Sequence, residues 1–484
     1  AEANLECHGA WDEFNEDPRI KAAIIDRNVA NVENFKNHGS VIIWSLGNEC
    51  GSGGSNFRAA LKTIKDIDPD RPTHYQGFGI GDENPADMDS EMYTGLGNVE
   101  KYATDPKLTK PFYLCEYAHA MFNSMGAVAE YNDLFDKYPN LLGGCIWEWQ
   151  DQGIYNRVDP KHPIIAFGGG FGETPNDHYF IHKGVVFSDR TPKPHFPELK
   201  HAYQWISITP VDLAKGAVNI RNRYQFISLD GFAASWSLTE NGVEISKGTL
   251  SPGHIEAGSS AQVSIPYQFT PKPGAEYFLR VAFNTTKDEL WAKKGYEIAS
   301  QQLALPNDNA VAAEAKSTLP VKGSFDDKNI FVTGKDFSLV FSKTKGTFTE
   351  IKSHGNDILT NQGGPMLHLW RAPHRNDDMW ADESWNKFGL KKLTWTVTKA
   401  SYKQKDDNNV EITAELEGKG RNGFAVTHKV KYEINGDGTI KADNDLSFTN
   451  EAIPLARVGV RLMLNKSYDQ FDDFGRGPME NDID

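Results

Sequence analysis

The chain has 484 residues, a length that the usual prior divides into about three domains. Its 66 acidic and 51 basic residues leave a net charge of −15, which argues against nucleic acid or an anionic membrane as the main partner. No stretch approaches the roughly 18 consecutive apolar residues of a membrane span, and 27 Phe, 17 Tyr and 11 Trp exclude a disordered chain. The sequence opens on Ala1-Glu2-Ala3-Asn4, without Met or a targeting segment, and is expected to be cut from something longer. The compartment therefore stays open.

In chain order, residues 1–205 alternate short apolar runs with helical patterns. Val41-Ile42-Ile43-Trp44 reads as a strand buried on both faces, and Asn56 to Ile67 carries Phe57, Ala60, Leu61 and Ile64 at helical spacing. Thr73–Gly77, Met88–Tyr93, Pro111–Glu116 and Gly143–Trp149 read as further strands, with a helix over Val128–Phe135. Strands separated by helices predict a parallel sheet with helices outside it.

From about residue 206 the texture is all-β. Trp205–Pro210, Ala217–Asn222, Ala233–Glu240 and Ala275–Phe283 read as strands, broken by turn signals at Asn241-Gly242 and Pro271–Gly274. This spacing suits an immunoglobulin-like β-sandwich over 206–305. A linker over 306–325 precedes a second, larger all-β region, 326–484. There Ile330–Phe341, Trp395–Tyr402, Val410–Glu417, Ala425–Asn435 and Thr439–Phe448 read as strands, and Gly475–Pro478 as a loop. The predicted class is multidomain α/β plus all-β. The four cysteines, Cys7, Cys50, Cys115 and Cys145, match no zinc spacing and are expected as free buried thiols.

Two carboxylates sit where strands run out. Glu49 ends Trp44-Ser45-Leu46-Gly47-Asn48-Glu49, and Glu116 ends Phe112-Tyr113-Leu114-Cys115-Glu116. In a β/α barrel both would face one mouth, at the C-terminal ends of the strands. Paired carboxylates flanking one bond are what glycoside cleavage requires, one protonated and one ionised. A single strand-end Glu commonly just caps the next helix; an Asn-Glu pair plus a second strand-end Glu favours catalysis.

The sequence resembles the large β-galactosidases of glycoside hydrolase family 2 along its whole length. The resemblance is carried by Glu2–Gly9, Ile43–Glu49, Cys115–Ser124, Gly143–Gln152, Thr174–Asp177 and Trp370–Asp377, in the family's order and with compatible gaps. It implies the C-terminal part of a (β/α)8 barrel, strands four to eight, over 1–205, and part of a small-chain-like β-sandwich domain at 326–484. It implies Glu49 as general acid/base and Glu116 as nucleophile of a retaining exo-β-galactosidase, with carboxylates roughly 5–5.5 Å apart. By the same resemblance Asn48 binds the sugar 2-hydroxyl, Tyr93 touches the nucleophile, His119 binds galactosyl hydroxyls, and Trp147 carries the sugar ring. Glu6, His8 and Glu49 match ligands for Mg²⁺.

Two departures stand out. Beside Phe180, whose carbonyl matches part of the family's sodium site, Lys183 replaces the expected Asn, so an ammonium is expected in place of Na⁺. Phe122 stands where many relatives have Gly and is expected to reshape the aglycone side. The implied substrate is a β-galactoside of an oligosaccharide or glycoconjugate, with no nucleic acid or membrane partner. Further barrel strands and N-terminal domains are expected outside this chain, and the large relatives' habit of assembling leaves room for a homo-oligomer. The alternatives are a β-glucuronidase or β-mannosidase of the same family, against which the His119-bearing stretch argues, and a non-catalytic carbohydrate-binding fragment.

Overall fold

The computed structural model describes every residue except 123, 308–316, 374–376, 378–380, 450–452, 473–474, 476 and 478–484. Within residues 1–205 five short strands run parallel: β1 (Trp44–Ser45), β2 (Thr73–His74), β3 (Asp89–Met92), β4 (Phe112–Tyr117) and β5 (Leu141–Ile146). Pairing joins β1 to β2 and orders β3-β4-β5. The N–H of Met88 donating to the Thr73 carbonyl (3.2 Å) links the two groups. Before β1, Glu2 and Glu6 form parallel bridges with Ser45 and Asn48, so the opening residues lie alongside this strand and its extension.

Helix α1 (Lys21–Phe35) precedes β1, helices α2 (Gly54–Ile67), α3 (Leu96–Thr104) and α4 (Val128–Lys137) lie between strands, and α5 (Phe196–Ala202) follows them. The spaced apolar residues of α2, Phe57, Ala60, Leu61 and Ile64, are buried against Trp44, Leu46 and Tyr75, as the pattern predicts. Burying one such side chain contributes roughly 1.5–3 kcal/mol. Val99 and Tyr102 of α3 and Tyr131 of α4 cover Phe112, Leu114 and Tyr117 of β4.

The strand expected over Val41–Trp44 is shorter and later. Regular pairing starts at Trp44, whose N–H finds the Pro72 carbonyl at 3.0 Å, while Ile42 is 66% exposed. The strand read over Thr73–Gly77 gives way to a 3-10 turn at Gln76–Phe78. The last strand of the series ends at Ile146, leaving Trp147 and Trp149 beyond it.

Two β-regions follow. A four-stranded sheet, ordered Val243–Leu250, Phe232–Glu240, Tyr277–Thr285, Glu297–Leu305, faces a three-stranded sheet of Ser260–Ser264, Ala217–Asn222 and Ile206–Asp212. Trp236, Leu238, Leu279 and Phe283 meet Ile208, Val218 and Ile220 in the shared core. Farther on, a five-stranded sheet begins with Lys322–Phe325, inside the segment expected as linker, because those residues pair with Asn329–Thr333. The run Ile330–Phe341, read as one strand, is two, Asn329–Thr333 and Phe337–Ser342, reversing at Gly334. Their inner residues Ile330, Val332 and Phe341 pack on Val410, Ile412, Tyr432 and Ile434 of a four-stranded sheet. The stretch 308–316 and most of the Gly475–Pro478 loop lie outside the described residues. Among the described residues no helix is long and apolar enough to cross a membrane.

The expectation of free buried cysteines needs correction. Cys7 and Cys50 are joined as a disulfide, their Cα atoms 4.7 Å apart. Parallel pairing of the opening residues beside β1 brings the two together across 43 residues, which spacing alone does not reveal. Cys115 is free and half-buried, and Cys145 is free and exposed.

Candidate active site

Glu116 lies in β4 and pairs across to Met92 of β3, with an irregularity in register between Glu91 and Met92. That irregularity brings Tyr93 round. Its N–H donates to the Glu116 carbonyl (2.8 Å), and its hydroxyl donates to the Glu116 carboxylate at 2.5 Å. The Glu116 residue is only 7% exposed. Burial pushes its carboxyl up, and the Glu49 charge adds to that, while the Tyr93 hydroxyl opposes by favouring the ionised form.

Glu49 stands at the end of the extension of β1. Its φ of 47° and the 54° of Tyr93 place both in the left-handed region, uncommon for residues other than Gly and concentrated at functional sites. Burial raises the Glu49 carboxyl too, with the Glu6 charge helping, against the lowering charges of His8 and Lys183. Both carboxyls are thus held above the ordinary carboxylate range, and each has its own set of neighbours.

The N–H of Asn48 donates to the Leu5 carbonyl (2.8 Å), and its side-chain Nδ2 donates to Glu6 Oε2, also at 2.8 Å. The other Glu6 oxygen accepts the N–H of His8 (3.1 Å), and His8 Nε2 lies 3.6 Å from Glu49 Oε2. Glu6, His8 and Glu49 therefore share one rim. Two carboxylates and an imidazole offer the hard donors that a divalent ion takes. Among the described residues, however, no three His, Cys, Asp or Glu side chains are gathered closely enough to hold a metal ion, so these three would have to draw in around one.

Past β4 the chain turns through His119, whose ring sits 5.7 Å from that of Tyr93. Burial, and then the Lys183 charge, push its imidazole down, which favours the neutral form. Trp147 follows β5 and is tied back by its N–H to the Tyr117 carbonyl (3.1 Å), while its own carbonyl accepts the N–H of Ala120 (2.8 Å).

These side chains line one cavity of about 420 Å³: Glu6, His8, Asn48, Glu49, Tyr93, Glu116, His119 and Trp147 all face it. So do Gln152, Asp177, Phe180 and Lys183. Every residue singled out from the sequence as catalytic, sugar-binding or metal-ligating is brought together. Gln152 and Asp177 were not singled out, although both lie in motifs, Gly143–Gln152 and Thr174–Asp177, that carry the resemblance. Phe122 is not among the lining residues; its ring packs 5.5 Å from Tyr179 and 5.6 Å from His182.

Comparison with known proteins agrees with this arrangement. Residues 1–208 match the model described as glycosyl hydrolases family 2, TIM barrel domain. Residues 218–306 match beta-galactosidase, domain 4, and residues 333–484 match the beta galactosidase small chain. A beta-galactosidase of Priestia megaterium (strain DSM 319 / IMG 1521) is 33% identical, over 99% of this chain and 47% of its own length. One of Psychromonas ingrahamii (strain DSM 17664 / CCUG 51855 / 37) is 32% identical over 99% of this chain and 49% of its own. One of Clostridium acetobutylicum is 30% identical over 100% of this chain and 54% of its own. The chain spans about half the length of the curated relatives it matches. With matching barrel and sandwich models in sequence order and a paired-carboxylate cavity within the barrel segment, the chain belongs to glycoside hydrolase family 2.

Proposed function

We propose that this chain carries the site of a retaining exo-β-galactosidase, with Glu116 as nucleophile and Glu49 as acid/base. The observation that carries the assignment of roles is the Tyr93 hydroxyl, donating at 2.5 Å to Glu116 and not to Glu49. A phenol donor stabilises the ionised carboxylate and holds one oxygen in place, which suits a nucleophile. The position of Glu49 on the rim, 3.6 Å from His8, supports a role toward the departing group.

In the first step Glu116 attacks the anomeric carbon while the Glu49 proton passes to the leaving oxygen, forming a galactosyl ester and releasing the aglycone. In the second, Glu49 takes a proton from water, the water oxygen bonds to the anomeric carbon, and Glu116 leaves as carboxylate. Asn48 keeps a carbonyl and one N–H free of its bond to Glu6 to meet a sugar hydroxyl. A neutral His119 can donate to one hydroxyl and accept from another, and the Trp147 indole offers an apolar face to the sugar's C–H groups.

Glu6, His8 and Glu49 are the residues that would hold Mg²⁺, which when bound supplies positive charge beside Glu49. No sodium ion is assigned, since Lys183 already puts a cation on the wall. The galactoside preference rests on the names of the relatives.

Hydrolysis of a panel of nitrophenyl β-glycosides tests the reading. The β-galactoside should turn over faster than the glucuronide and mannoside. Glu116→Gln should lower kcat on the order of 10⁴-fold or more with the fold intact. Glu49→Gln should slow substrates with alkyl leaving groups by about 10² to 10⁴-fold and dinitrophenyl substrates far less, since a good leaving group needs little acid help. Full activity in the Glu116 variant would sink the assignment.

A further inference from the structure

Two half-cystines sit among the residues that frame one side of the cavity. Cys7 lies between Glu6 and His8, and Cys50 directly follows Glu49. Glu6, His8 and Glu49 all line the cavity. The bond between Cys7 and Cys50, with Cα atoms 4.7 Å apart, therefore crosses from the segment that carries Glu6 and His8 to the one that carries Glu49. Hydrogen bonds hold the chain on either side of this crossing. The Asn48 N–H donates to the Leu5 carbonyl (2.8 Å), and the Cys7 N–H to the Asn48 carbonyl (3.3 Å). Farther on, the Tyr75 hydroxyl donates to the Gly51 carbonyl (3.0 Å) and the Ser52 N–H to Asp12 Oδ1 (2.8 Å). Between these anchors the covalent tie falls on Cys50 itself.

What the tie restrains is the backbone next to Glu49. Glu49 holds φ 47°, in the left-handed region, and Gly51 and Gly53 beyond it take 75° and 83°. Glycine adopts such angles at no steric cost, whereas a residue with a Cβ has to be held there by its surroundings. The bonds to Asn48, Gly51 and Ser52 survive loss of the S–S bond, so the segment keeps its course. Glu49, no longer followed by a tethered residue, then relaxes out of that conformation and takes its carboxyl with it. The two sulfurs also differ in access. Cys50 is fully buried and Cys7 half-buried, so a thiolate from solvent meets Cys7 first.

Resting on the assignment of Glu49 as acid/base, we propose that the Cys7–Cys50 bond is a reversible redox modification site that governs proton delivery to the leaving group, with a small dithiol as its reductant. One thiolate of the dithiol attacks Cys7 Sγ, the bond to Cys50 breaks, and Cys50 leaves as a thiolate that takes up a proton. The second thiolate of the reductant attacks the mixed disulfide and displaces Cys7, which is protonated in turn. Two electrons and two protons pass to the protein, and the dithiol ends as a cyclic disulfide. The oxidised form holds Glu49 for proton transfer. The reduced form keeps the cavity and the bond from Tyr93 to Glu116 but delivers the proton poorly.

Kinetics of the natural protein test this, with Mg²⁺ held in excess and the state of the bond read by mass mapping of the tryptic peptides that carry Cys7 and Cys50. Those peptides should be linked without reductant and separate after dithiothreitol. Reduction should lower kcat/KM about tenfold for an alkyl β-galactoside and less than about twofold for the dinitrophenyl β-galactoside, whose leaving group needs little acid help. Reoxidation with glutathione disulfide should restore both the linked peptides and the alkyl galactoside rate. Cys7→Ala/Cys50→Ala should show the reduced protein's ratio between the two substrates and no response to dithiothreitol. Should that variant not fold, the cycle of reduction and reoxidation carries the test by itself.

A purely structural disulfide would lower both substrates alike on reduction, and that result would overturn the proposal. So would an unchanged ratio once the peptides have separated, peptides found unlinked before reduction, or a response to dithiothreitol that persists in the double variant. The acid/base assignment is read separately. If Glu49→Gln slows both leaving groups equally, the role of Glu49 falls. If it separates them while reduction does not, the redox site alone falls.

Discussion

Tyr93 and Glu116 belong to segments that are far apart in sequence and adjacent in space, and the 2.5 Å bond between them permits a test of sign. The hydroxyl lowers the Glu116 carboxyl against the larger upward effect of burial. Tyr93→Phe removes the lowering contribution and leaves burial in place, so the Glu116 carboxyl moves further up. In its proposed role as nucleophile Glu116 must be ionised, so the acid limb of kcat/KM should shift to higher pH, with a loss of about tenfold to a hundredfold at the optimum. A pH–rate profile of the variant on a nitrophenyl galactoside checks this; an unshifted acid limb would separate the phenol from the nucleophile. At this scale the residues that line the cavity were largely legible. Glu49 and Glu116 announce themselves as acids at strand ends, and Asn48, Tyr93, His119 and Trp147 come with the surrounding motifs. The Cys7–Cys50 pair was not legible, since it depends on chain segments lying side by side. The bond from Asn48 to Glu6 is likewise a tertiary fact.

Elements were legible where burial follows a simple period. Helix α2 was read to within two residues because, after Asn56 in its first turn, its inner face runs Phe57, Ala60, Leu61 and Ile64 without a polar interruption. Helix α1 was not singled out, and its inner face shows why. Asn28 and Asn31 are buried there, Asn28 Nδ2 donating to the Ile24 carbonyl (3.1 Å) and the Leu46 carbonyl (3.2 Å), Asn31 Nδ2 to the Ala1 carbonyl (3.3 Å). Polar side chains that tie a helix to the backbone beside it erase the apolar stripe on which periodicity relies. The extension of β1 depends on a different device. Gly47 has φ +143°, and a Cβ there would sit 2.9 Å from Leu5 Cβ and 3.1 Å from the Leu5 carbonyl oxygen. The opening segment that carries Glu6 and His8 can approach Asn48 and Glu49 because position 47 has no side chain. Gly47→Ala should therefore cost about 1–3 kcal/mol. It should also lower kcat/KM, since the strain falls on the residues next to Glu49, the proposed acid/base. Urea denaturation and kinetics on the same preparation check both; a variant as stable and active as the parent would show that the approach is looser than these distances.

Across the whole molecule, acid is expected to act unevenly on the separate cores. His74 of β2 is 5% exposed, its Nδ1 3.2 Å from Ser90 Oγ of β3 and its ring edge-on to Tyr113 of β4 at 5.0 Å. Burial pushes this imidazole down to about 4. The unfolded chain takes up the proton near pH 6.5, so between about 6.5 and 4 it binds more protons than the folded one. Stability of the barrel segment is then fully present above that window and falls as pH drops through it, at up to about 1.4 kcal/mol per pH unit for this one group. The sandwich of 206–305 has no counterpart: its histidine, His254, is exposed between Asp230 (2.6 Å) and Glu256 (2.8 Å), which raise it. A group so raised favours the folded form below its unfolded value and loses that contribution as pH rises, the opposite sign. Calorimetric melting from pH 7 to 4.5 should thus move the barrel transition to lower temperature faster than that of the sandwich, separating transitions that lie closer at neutral pH. His74→Gln keeps a polar partner for Ser90 and cannot take a proton, so it should remove the His74 share of the barrel segment's extra pH dependence and leave that of buried His195, which burial also pushes down to about 4. Parallel shifts of both transitions in the unaltered chain, or an unchanged pH slope in the variant, would remove His74 as the cause.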